Sequence, residues 1–424
     1  MAQAALDGDM EAEWQRQGAS VRAAIAAQLG LPSGALVVLA ASGTDAELLA
    51  LALAARPGQS VLNVLVAPEE SGSGVPYAAA AFHFADQTPA GLPVKRGTPI
   101  AGFPSVGLRT IPGRDPAGQV RTSAEVIAAC ADAVQEAEGQ GARAVLHLLD
   151  GSKTGYVLPE PTDMMHLARQ HPTSVQVVVD ACQGRGDPAR MSRWLAEGWI
   201  VLVTGSKFYG GPPFSGAVLL PPHLAAELSA RPFVIPDGLS AYTTRADWPD
   251  TLAPSQSLVQ PANPGLLLRW QAALAEMAEF HASPRRLREA RLVRFATALP
   301  ALIAGRADLQ LVEMPSGSGW LQTIFSFAVL RNGRPLNFQE AKRLHHWLNI
   351  DVSGHSNSLS VAEKGLARRL CAIGQPVNLS CDAVLRIAAG GRRGAARVAD
   401  ARLVVDKISL ILKHWDEMNE NTPA

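Results

Sequence analysis

Short apolar runs alternate with amphipathic stretches along the first half of the chain. "GALVVLAAS", "SVLNVLVAP", "ARAVLHLLD", "SVQVVVDA", "WIVLVTGS" and "GAVLLP" read as strands. They carry apolar residues without strict alternation, as strands buried on both faces do. Between them, "TDAELLALALAAR", "TSAEVIAACADAVQEAEGQ", "EPTDMMHLARQH" and "ARMSRWLAEG" read as helices, and "EAEWQRQGASVRAAIAAQLG" precedes them as an amphipathic helix. The second of these opens on Thr122-Ser123, a helix-start signal. Strands and helices in this order predict an α/β domain with a mainly parallel sheet covered on both faces.

The pattern breaks at 232–264, where proline and polar residues dominate. A loop of this length inside a compact domain points to a functional or interface role, at a subunit boundary and an active-site mouth. "PGLLLRWQAALAEMAEF" then reads as a long helix with Pro264 at its start. From about 285 the texture changes: two basic helices, strands "LQLVEM" and "WLQTIFSFAVL", a helix "FQEAKRLHHWLN", a strand "AVLRIAA" and a final helix near 395–417. The expected division is an N-terminal helical segment at 1–30, a large α/β domain at 31–284 and a smaller α+β domain at 285–424. The N-terminal helix is expected near the smaller domain.

Composition narrows the function classes. The 424 residues are 47% hydrophobic and 18% charged, with zero formal net charge. That gives no electrostatic reason to expect nucleic acid or an anionic membrane as partner. The basic cluster Arg392, Arg393 and Arg397 reads as a solvated helix start. The acidic N-terminus lacks the apolar core of a signal peptide, and no run reaches the roughly 18 apolar residues of a membrane span. Four cysteines (Cys130, Cys182, Cys371, Cys381) without a CxxC pair make no disulfide framework. A cytoplasmic protein is expected. His345 and His346 have no other ligand types near them in sequence, so no metal site is expected.

Ligands of open parallel sheets bind outside the carboxyl ends of the strands. The residues at those ends are Ser42, Gly43 and Thr44, then Asp180 and Gln183, then Thr204, Ser206 and Lys207. Lysine is costly to bury, so one at the end of a core strand needs a reason. A lysine amine can form a Schiff base with the aldehyde cofactor pyridoxal 5'-phosphate (PLP). A carboxylate such as Asp180 keeps the pyridine nitrogen protonated. The Gly43–Thr44 helix start, with the Thr204 and Ser206 hydroxyls, suits a phosphate. Lys153, in a second "GSK", lacks these partners. "GSKT" there is not a P-loop, because residue 147 is His and not the required glycine.

The order and spacing of these motifs resemble fold-type-I PLP-dependent enzymes, in particular the class-V aminotransferase and cysteine desulfurase branch. "ASGTDAE" is similar to the branch's phosphate turn, one residue shorter. "VDACQ" is similar to its pyridine-binding strand end, and "TGSKFYGG" to its lysine turn, with Ser206 where desulfurases have histidine. The resemblance implies a large domain with a seven-stranded, mainly parallel sheet and a smaller α+β domain. It further implies a homodimer with the active site near the interface. PLP would be bound at Lys207 as a Schiff base, with Asp180 on the pyridine nitrogen. Gly43, Thr44, Thr204 and Ser206 would hold the phosphate, Gln183 and Ser152 the ring, and Asn263 the phosphate across the dimer. "VLRIAAGGR" resembles the segment carrying the carboxylate-binding arginine, which assigns Arg386. "VSGHSNSLS" resembles the desulfurase loop but has Asn357 in place of the cysteine, so His355 and Asn357 are expected to contact substrate. The segment "VAPEESGSGVPY" lacks the branch's ring-stacking histidine.

The substrate implied is an amino acid or related small amine. Transamination is the first expectation. The alternatives are a lyase or β/γ-replacement reaction, or a non-catalytic protein of the same fold. A persulfide-forming desulfurase is not expected, and Cys182 is read as packing beside Asp180.

Overall fold

The structure, a computed structural model, describes residues 9–183, 188–230, 234–252, 258, 262–312, 321–379, 382–392 and 397–420. Cys381, Arg393 and the remainder of the 232–264 stretch, all singled out by sequence, lie outside the described residues. The chain forms two compact units. The first comprises the described residues of Met1–Arg114, Arg121–Ser152 and Val157–Ala282, and the second those of Asp115–Val120, Lys153–Tyr156 and Ser283–Ala424.

In the first unit the elements follow in chain order: α1 (Met10–Leu29), β1 (Leu36–Ala40), α2 (Gly43–Ala54), β2 (Val61–Val66), α3 (Val75–Ala79), β3 (Val106–Ile111), α4 (Ser123–Gly139) and β4 (Arg143–Asp150). Then come β5 (Val157–Leu158), α5 (Pro161–Gln170), β6 (Val175–Asp180), α6 (Pro188–Ala196), β7 (Ile200–Thr204), β8 (Gly216–Leu220), α7 (Pro222–Ala230) and α8 (Pro264–Ala282). The sheet runs β1-β8-β7-β6-β4-β2-β3, with β5 paired to β4. The neighbours from β7 to β3 are parallel, while β8 runs antiparallel to both β1 and β7. The α/β architecture and the mainly parallel sheet expected from sequence are those observed.

Helix α2 is the centre of this unit. Every residue from Asp45 to Ala54 is buried, so its apolar character all round marks a core helix. Strand β3, by contrast, was hidden within a stretch that looked irregular. It lies at the sheet edge and is only partly buried, so it carries no apolar run.

Two segments gain structural detail here. Helix α1 packs within the first unit, against α8 and β1, and buries Val21, Ile25 and Leu29. The guanidinium of Arg22 donates to the carbonyl of Ala246. The 232–264 stretch is also not simply a surface loop. Its described part holds three short 3-10 turns, and Leu239, Tyr242, Trp248 and Leu252 join the main core. The Trp248 indole N–H is satisfied by Thr243 Oγ1 at 2.8 Å.

The second unit contains α9 (Arg285–Ala304), β9 (Leu309–Leu311), β10 (Ile324–Arg331), β11 (Arg334–Pro335), α10 (Phe338–Leu348), α11 (Val361–Ala367), β12 (Gly374–Leu379), β13 (Asp382–Ala388), α12 (Val398–Lys413) and α13 (Trp415–Glu420). Its sheet is antiparallel, in the order β11-β10-β13-β12, with β9 on β10. The two basic helices expected after 285 are one continuous helix, α9. Its internal proline, Pro300, does not end it. No helix among the described residues is long and apolar enough to cross a membrane.

Lys407 on α12 is fully buried, which lysine tolerates only when its donors are used. Its ammonium donates to the carbonyls of Leu348 (3.2 Å), Ile350 (2.8 Å) and Arg369. These carbonyls lie at or beyond the C-terminal ends of α10 and α11, where backbone acceptors lack helical partners and a cation is favoured. Lys407→Met keeps the stem and deletes all three donors. It is expected to lower stability by about 3 kcal/mol, read from urea unfolding.

Candidate active site

Three segments of the first unit meet at the carboxyl ends of its strands. The first is the start of α2. Ser42 caps it by accepting the Asp45 N–H at 3.2 Å. The N–H groups of Gly43 and Thr44 belong to the first turn, where no intrahelical acceptor exists. The second is the end of β6, where Asp180 lies in register with Leu149 of β4 and Leu202 of β7. The third is the turn after β7 that carries Ser206 and Lys207.

The approach is tight. A Cβ at Gly43 would stand 2.9 Å from Cys182 Sγ and 3.6 Å from Thr204 Cγ2. Glycine is therefore the residue that lets α2 reach the ends of β6 and β7. Asp180 Oδ1 accepts the Cys182 N–H at 3.0 Å, which holds the turn after β6.

The lysine turn is anchored from behind. Gly205 lies against α8, where a Cβ would come 2.5 Å from Ala273 Cβ. Phe208 and Tyr209 are buried and pack edge-on to Phe280 of α8. Gly211 N–H closes the turn on the Gly205 carbonyl at 3.0 Å. Lys207 itself is exposed. Among the described residues, the side chains of Thr44, Gln183, Ser206 and Lys207 have no hydrogen-bond partner. They are polar groups available to a ligand.

Other sequence candidates have structural tasks. The Thr204 hydroxyl donates to the Cys182 carbonyl at 2.6 Å. Its one proton is thus engaged by the turn after β6 in this structure. Asn263 caps α8, its Oδ1 accepting the Leu266 N–H at 3.0 Å. Ser152 is buried two residues beyond β4.

Arg386, His355 and Asn357 belong to the second unit. The Arg386 guanidinium donates to the carbonyls of Gln375 (3.2 and 3.0 Å) and Lys153 (2.8 Å), so its plane is fixed by backbone. The loop carrying His355 and Asn357 is tied to the C-terminal helices. Ser356 donates to Glu417 Oε2 at 2.6 Å, and Ser358 Oγ lies 2.8 Å from His414 Nδ1. Asn357 is exposed and His355 is half-buried.

Sequence reasoning passed over the buried charges around Asp180. Asp150, at the end of β4, is paired with Arg190 of α6 at 2.8 Å. Burial pushes its carboxyl up to about 7; Arg190 opposes this, and the charge of Asp180 adds to it. Glu47 of α2 lies against His147 and Asn63, and burial pushes it up to about 8, again with a contribution from Asp180. Cys182 is raised well above an ordinary thiol by burial and then by Asp180, with Lys207 opposing, so it is a neutral thiol. The signal was present in the sequence: Asn63, His147 and Glu47 are the polar residues interrupting apolar runs.

Comparisons with known proteins agree with the fold. No family model matches the sequence, and no curated protein does. Solved structures do match. Ureidoglycine-glyoxylate aminotransferase of Bacillus subtilis is 12% identical, with a TM-score of 0.56, covering 94% of this chain and 85% of that one. Alanine-glyoxylate aminotransferase of a Nostoc species is 14% identical, with a TM-score of 0.56, covering 94% and 87%. Oryza sativa TDC, solved with PLP and tryptamine, is 13% identical, with a TM-score of 0.54, covering 96% and 76%. The chain has the fold of the fold-type-I PLP enzymes.

The close approach at Gly43 gives a direct test. Gly43→Ala should cost about 1–3 kcal/mol through overpacking against Cys182. In a Cys182→Ala background most of that cost should vanish, because the remaining Cβ is 3.6 Å away. Thermal or urea unfolding of the four proteins of this cycle measures the coupling.

Proposed function

We propose that this protein is a PLP-dependent enzyme acting on an amino acid or related amine, and that its reaction is transamination. The observation that carries this reading is the convergence of the α2 first turn, Asp180 and the Ser206–Lys207 turn at one end of the sheet. The donor set fits the cofactor. Lys207 offers an exposed amine for the aldehyde, without a hydrogen-bond partner among the described residues. Asp180 offers a carboxylate for the ring nitrogen. The Gly43 and Thr44 N–H groups, with the Thr44 and Ser206 hydroxyls, offer donors to a phosphate. Gln183 and Ser152 are assigned to the ring.

When bound, PLP supplies an electron sink for the carbanion left as a bond at the substrate's α-carbon breaks. The chain's residues do the rest. Asp180 holds a proton on the ring nitrogen by its negative charge. Lys207 takes and returns a proton at Nζ once the substrate amine has replaced it. Thr204 and Cys182 fix the turn between Asp180 and Gln183. Arg386 orients a substrate carboxylate, with His355 and Asn357 as further contacts, and Asn263 is assigned to the phosphate across the dimer.

Transamination is carried over from the motif resemblance; the matched structures include two aminotransferases and also decarboxylases. Desulfuration is disfavoured, because the loop at 352–360 carries no thiol and both Cys182 and Cys371 have thiols raised by burial. The working form is taken as a cytoplasmic homodimer with the site near the interface.

Purified protein incubated with PLP should be yellow, and borohydride should bleach it and leave the reduced cofactor on Lys207, identified by peptide mass spectrometry. An adduct on Lys153 overturns the assignment. Asp180→Asn should retain the cofactor yet lose turnover by about two orders of magnitude or more. Product analysis separates the reactions: transamination moves the amino group to an added 2-oxo acid, whereas elimination releases ammonia. Cysteine with reductant should give no sulfide beyond that from free PLP.

A further inference from the structure

A line of polar side chains crosses the buried sheet beneath α2. In the parallel ladders Asn63 is in register with Val145, and Asp180 with Leu149. Side chains alternate along a strand, so Asn63, His147 and Asp180 project to the same face. Glu47 comes down on this face from α2.

The hydrogen bonds fix each orientation. Asn63 Nδ2 donates to the Ala79 carbonyl at 2.9 Å, so Oδ1 faces His147 Nε2, also at 2.9 Å. Nε2 therefore carries the ring proton. It also lies 3.2 Å from Glu47 Oε1, to which Asn63 Nδ2 points at 3.4 Å. Glu47, Asn63 and His147 are 1%, 0% and 3% exposed. Burial drives the imidazole down to about 3, so it is neutral and gives Glu47 no counter-charge. Among the described residues no lysine or arginine pairs with Glu47. An unpaired buried carboxylate is strongly disfavoured, and the group keeps its proton instead.

We propose that Glu47 is a positioning residue for Asp180: a neutral carboxylic acid, oriented by His147 and Asn63, that leaves Asp180 as the single negative charge facing the cofactor's ring nitrogen. This rests on the cofactor reading above. The titratable groups that bear on Glu47 are His147 from β4, Asp180 from β6 and Cys182 from the turn beyond it. Asp180 raises Glu47, and Glu47 in turn raises Cys182. If Glu47 ionised, two carboxylates would share this region, and the field acting on the ring nitrogen would change.

Glu47→Gln keeps the shape and fixes the neutral state, and two readouts follow. The first needs no cofactor. A folded-state pKa of about 8 against an ordinary 4.5 means that the folded protein holds this proton more tightly. Its stabilising contribution is complete below the ordinary value and is lost as pH rises through the folded one. The urea midpoint of the wild type should therefore fall relative to Glu47→Gln between about pH 5 and 8. The second readout is the visible band of the PLP-loaded proteins, both labelled at Lys207. The wild-type band should show a step near pH 8 that Glu47→Gln lacks.

A midpoint gap that does not change with pH overturns the proposal. Superimposable band titrations overturn it as well, leaving Glu47 a buried acid without influence on Asp180. Absence of any Lys207 label, with the midpoint gap as expected, overturns the cofactor reading and this role with it. Should Glu47→Gln fail to fold, Asn63→Leu removes one donor to the Glu47 carboxylate. It must then move the alkaline step of the band to higher pH, and an unmoved step is equally fatal.

Discussion

The first turn of α2 stands so near the ends of β6 and β7 that residue 43 has no room for a side chain. Much of the first unit depends on that approach. A helix held this close to the sheet is buried on all faces, and α2 is accordingly apolar almost throughout. Its two acids are buried with it. Asp45 is pushed up to about 6 and Glu47 to about 8, in both cases chiefly by burial. The same contact that brings helix N–H groups to the strand ends thus also brings acids that favour their protonated forms.

The strand-end residues were legible because each sits where an apolar run stops. Ser42 to Thr44, Asp180 to Gln183 and Thr204 to Lys207 are polar punctuation in a regular pattern, and the rules for parallel sheets put such residues on one side. What that logic could not reveal is how each hydroxyl is used. Thr204 and Ser206 look equivalent in "TGSK", yet Thr204 is committed to the Cys182 carbonyl and Ser206 is not. That difference arises from the neighbouring strand and has no local signature.

Other features were hidden because their cues mislead. Strand β3 lacks an apolar run since it lies on an edge. The 234–252 segment is rich in proline and polar residues, but its few apolar side chains are enough to seal the core. Asn63 and His147 looked like minor interruptions of strands. Paired across β2 and β4 they form a hydrogen-bonded seat for a residue more than a dozen positions away. Arg386 was read from its motif as a substrate contact, and the structure adds that backbone carbonyls already fix its guanidinium plane.

The turn bearing Lys207 divides its residues sharply. Phe208 and Tyr209 are gripped among aromatic rings on α8, and Gly210 reverses the chain with φ of 75°. Gly205 is pressed against the same helix. With the backbone clamped on both sides, the amine of Lys207 is left with only the torsions of its own four-carbon stem. Its excursions are therefore those of a rotating side chain, on about a picosecond-to-nanosecond scale, and need no slow loop movement.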